Sequence, residues 1–437
     1  MKVKKLLAAI LALAMTLGMM GVPTFAATVD VWDGTVSTAW YGEGTDSTFT
    51  ISTAEDLAGL AQLVTPENTF SGKTVLLDAD IDLDNREWTS IGYGYYELSK
   101  LLYARFQGIF DGQGHTIKNL KITSGDHAEG LFGATANGAV KNFTLENASV
   151  KGNQETGAVA GSPFTSAYSD ITVKGLIQVD GYAYVGGAFG KNAYEDITNV
   201  DVIGDPGSYV NAESEIYRTY VGGLAGFMGE GNIAIANCDV QIDVIGSTCD
   251  IGGILGNLHY GNKMTNCTYS GSLKLTDPTE EKDRGEIGGL VGTVLTDKAH
   301  TTSISGSTAN VKSAEVTTMD GTIEDVTDTI TATGAFYSGM AESQKGAYAF
   351  EATVNDRHES STNIAAKIGD KTYLTIADAV AAAKNGEVID VMPGTFEEPL
   401  TLPLKSLTLR GNGDVLLKGG IQFAAGAVPE GTEITIE

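Results

Sequence analysis

The middle of the chain alternates apolar and polar residues with a period of two, in short segments that end at glycine, asparagine or aspartate. Examples are "KNFTLENASV", "SDITVKGLIQV" and "ANCDVQIDV". This period is typical of strands that bury one face. No unit of this region contains a segment of helical period. The pattern therefore predicts a region built almost entirely of strands.

These strands belong to a repeat of about 30 residues. Each unit carries a glycine motif such as "TGAVAG" or "VGGAFG", and a strand segment follows it. The motifs end at Gly133, Gly161, Gly190, Gly226, Gly256 and Gly292. We expect each motif to be one strand that packs closely against its neighbour. A unit of this length, with two or three strands, is one coil of a β-solenoid.

Stacked coils predict columns of equivalent side chains. One polar column is expected at a corner, where Asn and Asp suit a turn; it contains Asn142, Asp170, Asn199, Asn237 and Asn266. Cys238 and Cys267 follow at matching positions in consecutive coils. We expect two stacked, buried free thiols there, because parallel strands rarely offer disulfide geometry.

The motif also carries a family resemblance. "GLFG" at 130–133, "GLAG" at 223–226 and "GLVG" at 289–292 look like the signature of the GLUG-motif proteins. These occur in exported bacterial proteins, including adhesin-like surface proteins, and beside immunoglobulin A1-cleaving metallopeptidases. The resemblance covers roughly residues 50 to 340. It implies a right-handed parallel β-helix of the pectin-lyase type.

A helical period appears before the repeat, in "ISTAEDLAGLAQLV" at residues 51–64. Ser52 and Glu55 are predicted to form a capping box. Leu57, Leu60 and neighbouring small residues make one apolar face. We expect this helix to cover the open end of the solenoid, because exposed strand edges pair with other chains.

A second helix is predicted near the C-terminus. Thr375 and Asp378 would cap it, and Asn385 and Gly386 would end it. The strand segments "EVIDVMPGTF" and "KSLTLRGNGDVLLKGG" follow. This order resembles the opening of a second pectin-lyase-like β-helix.

Together these patterns predict an all-β chain: a right-handed parallel β-helix (β-solenoid) with an N-terminal capping helix and the start of a second β-helix module. The predicted divisions are a signal peptide at 1–26, a cap segment and helix at 27–64, the GLUG-repeat β-helix at 65–345, a linker at 346–365 and the second module at 366–437.

Composition narrows the function classes. The chain has a formal net charge of −27, with 55 acidic and 28 basic residues. Nucleic acid and anionic lipid would repel such a chain, so neither is an expected partner. Only three cysteines are present, which excludes a disulfide framework.

Two segments carry candidate chemistry but are predicted to be structural. In "FDGQGHTIKNL" at 110–120, Asp111 begins a turn between two strands and His115 begins the second strand, and no third partner orients the histidine. "DADIDLDNREW" places Asp78, Asp80, Asp82 and Asp84 at alternate positions. It lacks the Gly and Glu of an EF-hand loop, so we expect a solubilising outward face.

Enzyme motifs are scarce. The metallopeptidase motif HExxH is absent, and no second histidine follows His358 and Glu359 at its spacing. A polysaccharide lyase or glycoside hydrolase stays open, because its residues come from neighbouring coils and need no linear motif. No catalytic residue, metal ligand or cofactor site is predicted.

Tyrosines supply the candidate ligand contacts. Tyr168, Tyr194 and Tyr260 each follow a glycine motif by four to seven residues, on what should be one side of three coils. Tyr95 and Tyr96 lie in an insertion near the N-terminal end. Exposed aromatic rows bind sugar faces and partner chains. The alternative is that these rings pad loops against the coils.

The function predicted from these features is an exported, non-enzymatic surface protein whose β-helix displays loops for adhesion. Its partner would be a glycan or a host surface protein. One alternative is a polysaccharide lyase or glycoside hydrolase on the same scaffold. Another is a structural spacer for a domain beyond Glu437. A fold alone does not decide among them.

Export is predicted from the N-terminus. Three lysines precede an uncharged apolar run at residues 6–20, and the segment Thr24-Phe25-Ala26 then places small residues at the −3 and −1 positions of a cleavage site. No later apolar stretch approaches the ~18 residues of a membrane span. The mature chain is therefore expected to be secreted or held at the cell surface.

We expect the mature protein to begin at Ala27, because the small residues Thr24 and Ala26 occupy the −3 and −1 positions that signal peptidase requires. Intact-mass analysis of protein recovered outside the producing cell tests this. A mass that retains residues 1–26 in that fraction would contradict it.

Overall fold

A computed structural model describes residues 29–97, 100–123, 125, 127–192, 194, 196–213, 219–229, 231–276, 285–297, 300–318, 320–336 and 347–437. Side chains are not described at 95–97, 100, 192, 336 and 347. The predicted signal peptide at 1–26 lies outside these residues.

Strands dominate the described chain, and most belong to three sheets whose neighbouring strands are mainly parallel. The six-stranded sheet contains Ala128–Glu129, Glu155–Gly157, Tyr184–Gly186, Thr219–Gly222, Cys249–Gly252 and Ile287–Gly288. The seven-stranded sheet contains Phe132–Ala136, Ala160–Phe164, Phe189–Asn192, Ala225–Met228, Leu255–Leu258, Val291–Val294 and Thr333–Phe336. The large sheet has 19 strands: Asp30–Val31, Thr48–Ile51, Thr74–Leu77, Ile81–Asp82, Ile109–Asp111, Thr116–Ile122, Ala139–Lys151, Ala167–Gly181, Ile197–Gly204, Tyr209–Glu213, Ala234–Ala236, Asp239–Gln241, Asp243–Ser247, Lys263–Thr265, Thr268–Thr276, Thr301–Thr317, Ile323–Asp325, Ala347–Val354 and Arg357–Thr362.

The chain visits these sheets in a fixed order. Glu155–Gly157 lies in the six-stranded sheet, Ala160–Phe164 in the seven-stranded sheet and Ala167–Gly181 in the large sheet. The next pass repeats the order, and its strands pair in parallel with those of the pass before. Such an order is compatible with an all-β parallel β-helix with three strands in each coil. The right-handed sense stays a prediction.

Each glycine motif is a corner between two sheets, so the prediction of a single strand was wrong. In "VGGAFG" the strand Tyr184–Gly186 ends at the first glycine, and Phe189–Asn192 begins in the other sheet. The backbones meet closely at this corner. A Cβ added at Gly256 would lie 2.5 Å from the Val221 nitrogen and 2.6 Å from the Gly226 oxygen. Close approach of backbone to backbone therefore requires glycine there.

The predicted polar column lies at a corner of the large sheet. Its members all adopt left-handed backbone conformations, with φ between 53° and 58°, a region that Asn and Asp tolerate. The Asn199 amide donates to Asp170 (2.9 Å), and the Asn237 amide donates to Asn199 (3.3 Å). Hydrogen bonds between coils therefore reinforce this corner.

A second ladder was not predicted. Asn119 and Asn147 also have left-handed φ values, of 58° and 59°. The Asn147 amide donates to Asn119 (3.1 Å), which donates to Asp82 (2.7 Å). In several coils, polar side chains at a bend of the long strand thus bond to the coil before.

All three cysteines are free and buried, as expected for stacked thiols. Cys238 donates to the Ala236 carbonyl (3.4 Å), and Cys267 donates to the Thr265 carbonyl (3.4 Å). The neighbouring Cys267 thiol and burial raise the pKa of Cys238. Cys238 therefore stays a neutral, unreactive thiol.

The N-terminal helix α1 spans Ala54–Leu63, after a short 3₁₀ helix at Ala39–Tyr41. Its N-cap is Thr53, whose hydroxyl accepts from the Asp56 backbone (3.2 Å), so the predicted Ser52 and Glu55 box was one residue out of place. Leu57 and Leu60 are fully buried in the hydrophobic core that they share with the parallel strands. The role of α1 as a cover for the first coil stays a prediction.

The C-terminal part has its own hydrophobic core. Helix α2 spans Ile376–Ala382, and Thr375 caps it as predicted by accepting from the Asp378 backbone (3.0 Å). Parallel pairs stack Glu387–Val391 with Leu407–Gly411 and Ile434–Ile436, Gly394–Phe396 with Val415–Leu417, and Leu400–Leu402 with Ile421–Phe423. The hairpin Ala366–Ile368 and Lys371–Tyr373 packs antiparallel beside them.

The segment expected as a linker at 346–365 carries two strands instead. Ala347–Val354 pairs in parallel with Thr301–Thr317 of the large sheet, and Arg357–Thr362 folds back on it as an antiparallel hairpin. The turn residues Asn355 and Asp356, both with positive φ, form the hairpin corner. The polar turn residues of this segment led to the prediction of a linker. In the structure they form the turn of a hairpin instead.

Gly256→Val should destabilise the β-helix by about 2–3 kcal/mol, because the new side chain meets backbone that cannot move aside. Lys274→Val, at an exposed position in the strand Thr268–Thr276, is the matched control and should change little. Thermal unfolding followed by circular dichroism measures both. An unchanged midpoint for Gly256→Val would mean that the two sheets do not meet at this corner.

Candidate functional site

The three predicted tyrosines do not form one row. Tyr168 is 1% exposed; its ring packs edge-on against Phe189 at 4.6 Å, and its hydroxyl bonds to the Thr135 hydroxyl (2.7 Å). Tyr194 is 45% exposed, and Tyr260 is half-buried with its ring 3.9 Å from His259. The expectation of an exposed row on one side was therefore wrong for Tyr168.

Strand register explains this difference. Tyr168 pairs with Val140 and Ile197, which are both buried, so it occupies a core-facing column of the large sheet. It follows its glycine motif by seven residues, whereas Tyr194 and Tyr260 follow theirs by four. The unequal spacing places Tyr168 within the strand Ala167–Gly181, whereas Tyr194 and Tyr260 lie outside strands.

Tyr95 and Tyr96 belong to the strand Tyr93–Glu97, which forms an antiparallel hairpin with Lys100–Ala104. Their side chains lie outside the described residues. The same hairpin nevertheless brings two other side chains to a groove on the β-helix. They are Tyr103 and Arg105.

This groove, which we call the Arg105 groove, has a volume of about 330 Å³. It crosses consecutive coils beside the glycine corners. The side chains that define its chemistry are Tyr103, Arg105, Glu155, Lys191, Tyr194 and His259.

Glu155 lies at the floor of the groove and is only 4% exposed. The Tyr103 hydroxyl donates to its Oε2 (3.1 Å), His127 Nε2 lies 3.7 Å from Oε2, and Lys191 Nζ lies 3.7 Å from Oε1. Burial alone would raise the pKa of Glu155. Hydrogen bonds from His127 and Ser162 and the charge of Lys191 outweigh burial and lower that pKa. Glu155 is therefore an anion at neutral pH.

Two cations accompany this carboxylate. The Arg105 guanidinium lies 4.0 Å from the centre of the Tyr103 ring and 5.1 Å from that of Phe164. Lys191 Nζ lies 5.2 Å from the Tyr184 ring and 5.7 Å from the Phe227 ring. Aromatic faces thus hold both cations in place.

An aromatic pair forms the rim. Phe164 is 39% exposed and Tyr194 is 45% exposed. Their ring centres are 5.3 Å apart at an interplanar angle of 81°. One ring therefore stands edge-on to the other, and the pair offers exposed apolar ring surface next to the polar floor.

His259 lies at the far end, with its ring 5.3 Å from the Phe227 ring. Burial lowers the pKa of His259 to about 4, so the ring is neutral at physiological pH. Its Nδ1 atom is buried and has no hydrogen-bond partner within the described chain. The ring therefore adds no charge to the groove.

Sequence reasoning missed Arg105, Glu155 and Lys191, although a signal for two of them exists. Glu155 stands two residues before the first glycine of its corner, and Lys191 directly follows the last glycine of the next. Strand pairing stacks each of these positions from coil to coil: Glu155 with Tyr184 and Tyr220, and Lys191 with Phe227. These two columns of the repeat therefore point to Glu155 and Lys191, but they do not place Arg105.

The residues singled out earlier for chemistry serve the coil itself. Asp80 accepts from the Thr116 backbone (2.9 Å) and lies 3.1 Å from His115 Nδ1. The backbone bond from Thr116 is the main reason why the pKa of Asp80 is lowered. His115 is thus paired with Asp80 of the preceding coil, and Asp111 bonds to Asn142 (3.1 Å). Within the described chain, no group of three or more His, Cys, Asp or Glu side chains is placed to hold a metal ion.

No family model matches the chain. Halomucin from Haloquadratum walsbyi is 33% identical over 166 residues, which is 36% of this chain and 2% of halomucin, so the chain corresponds to a small fraction of that relative's length. The crystal structure of a provisionally assigned immunoglobulin A1 protease from Bacteroides ovatus aligns at 20% identity with a TM-score of 0.49, covering 70% of this chain and 84% of that one. A score at that level supports no statement about function. None of the helices in the described residues is long and apolar enough to cross a membrane.

Proposed function

We propose that this chain is an exported, non-enzymatic surface protein whose β-helix presents the Arg105 groove for recognition of a glycan. Its GLUG-type motifs, a right-handed coil and a second β-helix module at 366–437 belong to the same proposal. The partial similarity to halomucin supports a location outside the cell. The observation that carries the proposal is the exposed Phe164–Tyr194 rim beside a floor of fixed charges.

A glycan fits this surface better than a protein partner. Sugar rings have one apolar face and polar edges, and exposed aromatic rings bind the apolar face while nearby polar groups bind the edges. A volume of about 330 Å³ lies at the small end of ligand sites. A stable protein interface needs about 800 Å² on each partner, and the groove alone does not provide it. Tyr194, Tyr260, Tyr95 and Tyr96 stay candidate contacts.

A polysaccharide-cleaving enzyme is the second candidate, because Glu155, Tyr103 and Lys191 converge in one groove. Glycoside hydrolysis needs two carboxyl groups on either side of the sugar bond. The described residues of the groove supply one, Glu155, and its oxygens are already bound by Tyr103, Lys191 and His127. This saturation favours a structural charge over a catalytic acid. A spacer, the third alternative, would need no such groove.

Replacing both rim rings, Phe164→Ala with Tyr194→Ala, should weaken glycan binding by about tenfold, because the apolar platform is lost. Phe423→Ala, which removes a 62% exposed ring far along the chain, is the matched control and should bind normally. A glycan array followed by calorimetry measures binding, and circular dichroism verifies the fold.

The same samples test the enzyme alternative. Release of new reducing ends or unsaturated sugars that stops in Glu155→Gln would replace the recognition proposal with catalysis. If the unaltered protein bound no glycan at all, the glycan-recognition proposal would also be contradicted. A protein ligand would then be the next candidate to test.

A further inference from the structure

We propose that the Arg105 groove selects anionic glycans, and that the Arg105 guanidinium binds the acid group of the sugar. This inference rests on the proposed function, since it names the class of glycan that the same groove would take. It follows from three features of Arg105: its unused hydrogen-bond donors, its unpaired charge and its place beside the aromatic rim.

The guanidinium is held in position, but only some of its N–H donors make hydrogen bonds. Its Nη1 atom donates to the backbone carbonyls of Thr135 (3.2 Å) and Ser162 (3.4 Å). Tyr103 and Phe164 flank its plane. Its Nε and Nη2 groups donate to no atom among the residues that the structure describes. A guanidinium has five N–H donors in a rigid fork that matches carboxylate or sulfate oxygens, so an acid group can use those that remain.

The charge of Arg105 is in contact with no carboxylate, although the charge of Glu155 acts on it from a greater distance. No carboxylate of the described chain lies within 4.0 Å of it, although the sequence has 55 acidic residues. The one carboxylate of the groove, Glu155, is close to Lys191 (3.7 Å), and that pair is neutral. The groove therefore keeps one net positive charge on a strongly acidic protein. A ligand acid group would supply the missing counter-charge.

The position of Arg105 fits the shape of an acidic sugar. Its guanidinium lies 5.1 Å from the Phe164 ring, and Phe164 lies 5.3 Å from the Tyr194 ring. When a sugar packs against this aromatic rim, one of its substituents lies close to the guanidinium. Because Nη1 is anchored to the backbone, the fork is pre-organised, and little side-chain entropy is lost on binding.

Matched probes test the ligand class. Hyaluronan oligosaccharides are compared with their methyl esters, which lack the charge, and dextran sulfate is compared with dextran. The unaltered protein should bind at least one acidic form about tenfold more tightly than its neutral form. The pair that shows the preference distinguishes carboxylate from sulfate.

Arg105→Gln should abolish this preference for the acidic form. Weak binding of the neutral form should persist, and this persistence would show that the aromatic rim is intact. Arg410→Gln removes an exposed arginine of the C-terminal part and should keep the full preference. If Arg105→Gln does not fold, Arg105→Lys keeps the charge without the planar fork and should reduce the preference severalfold.

Equal binding of acidic and neutral forms would overturn this inference and leave glycan recognition standing. A preference that survives Arg105→Gln would also overturn it, because the acid group would then bind elsewhere. Failure of every probe and every arrayed glycan to bind would overturn the recognition proposal itself.

Discussion

The close approach of two sheets at the glycine corners is the constraint on which the rest of the structure depends. At Gly226 an added Cβ would lie 2.4 Å from the Val185 nitrogen, and at Gly190 it would lie 2.4 Å from the Thr156 nitrogen. No side chain fits between these backbones. Beside the glycines, strand pairing forms two columns of side chains, one with Glu155 and Tyr184 and one with Lys191 and Phe227, and Lys191 meets Tyr184 across them. The Arg105 groove lies where Glu155 of one column meets Lys191 of the other.

Electrostatics turns that geometry into a recognition surface. A buried carboxylate is expensive unless cations and donors surround it. Tyr103, His127 and Lys191 do so for Glu155. The hairpin that supplies Tyr103 also supplies Arg105, which brings a second cation without a second carboxylate. Because the column residues are fixed by the coil, these charges are positioned before any ligand arrives.

The sequence analysis was most successful where one residue type repeats at one position. The period-two strands and the polar column at Asn199 and Asn237 could be predicted because each coil repeats the same turn chemistry. The cap at Thr375 was predicted because a local side-chain bond forms it. The corner role of the glycine motif could not be predicted. Glycines within a strand and glycines at a close approach of two backbones have the same pattern in the sequence. Arg105 was missed because it belongs to an insertion, which no repeat places in register.

The central claim is that the glycine corners place Glu155 and Lys191 in contact, and a double-mutant cycle tests it most directly. Stability is measured for the unaltered protein, for Glu155→Gln, for Lys191→Met and for the double variant. Side chains in contact should show a coupling free energy of about 1 kcal/mol. Additive effects of the two substitutions would mean that the columns do not face each other, and the groove would not exist as described.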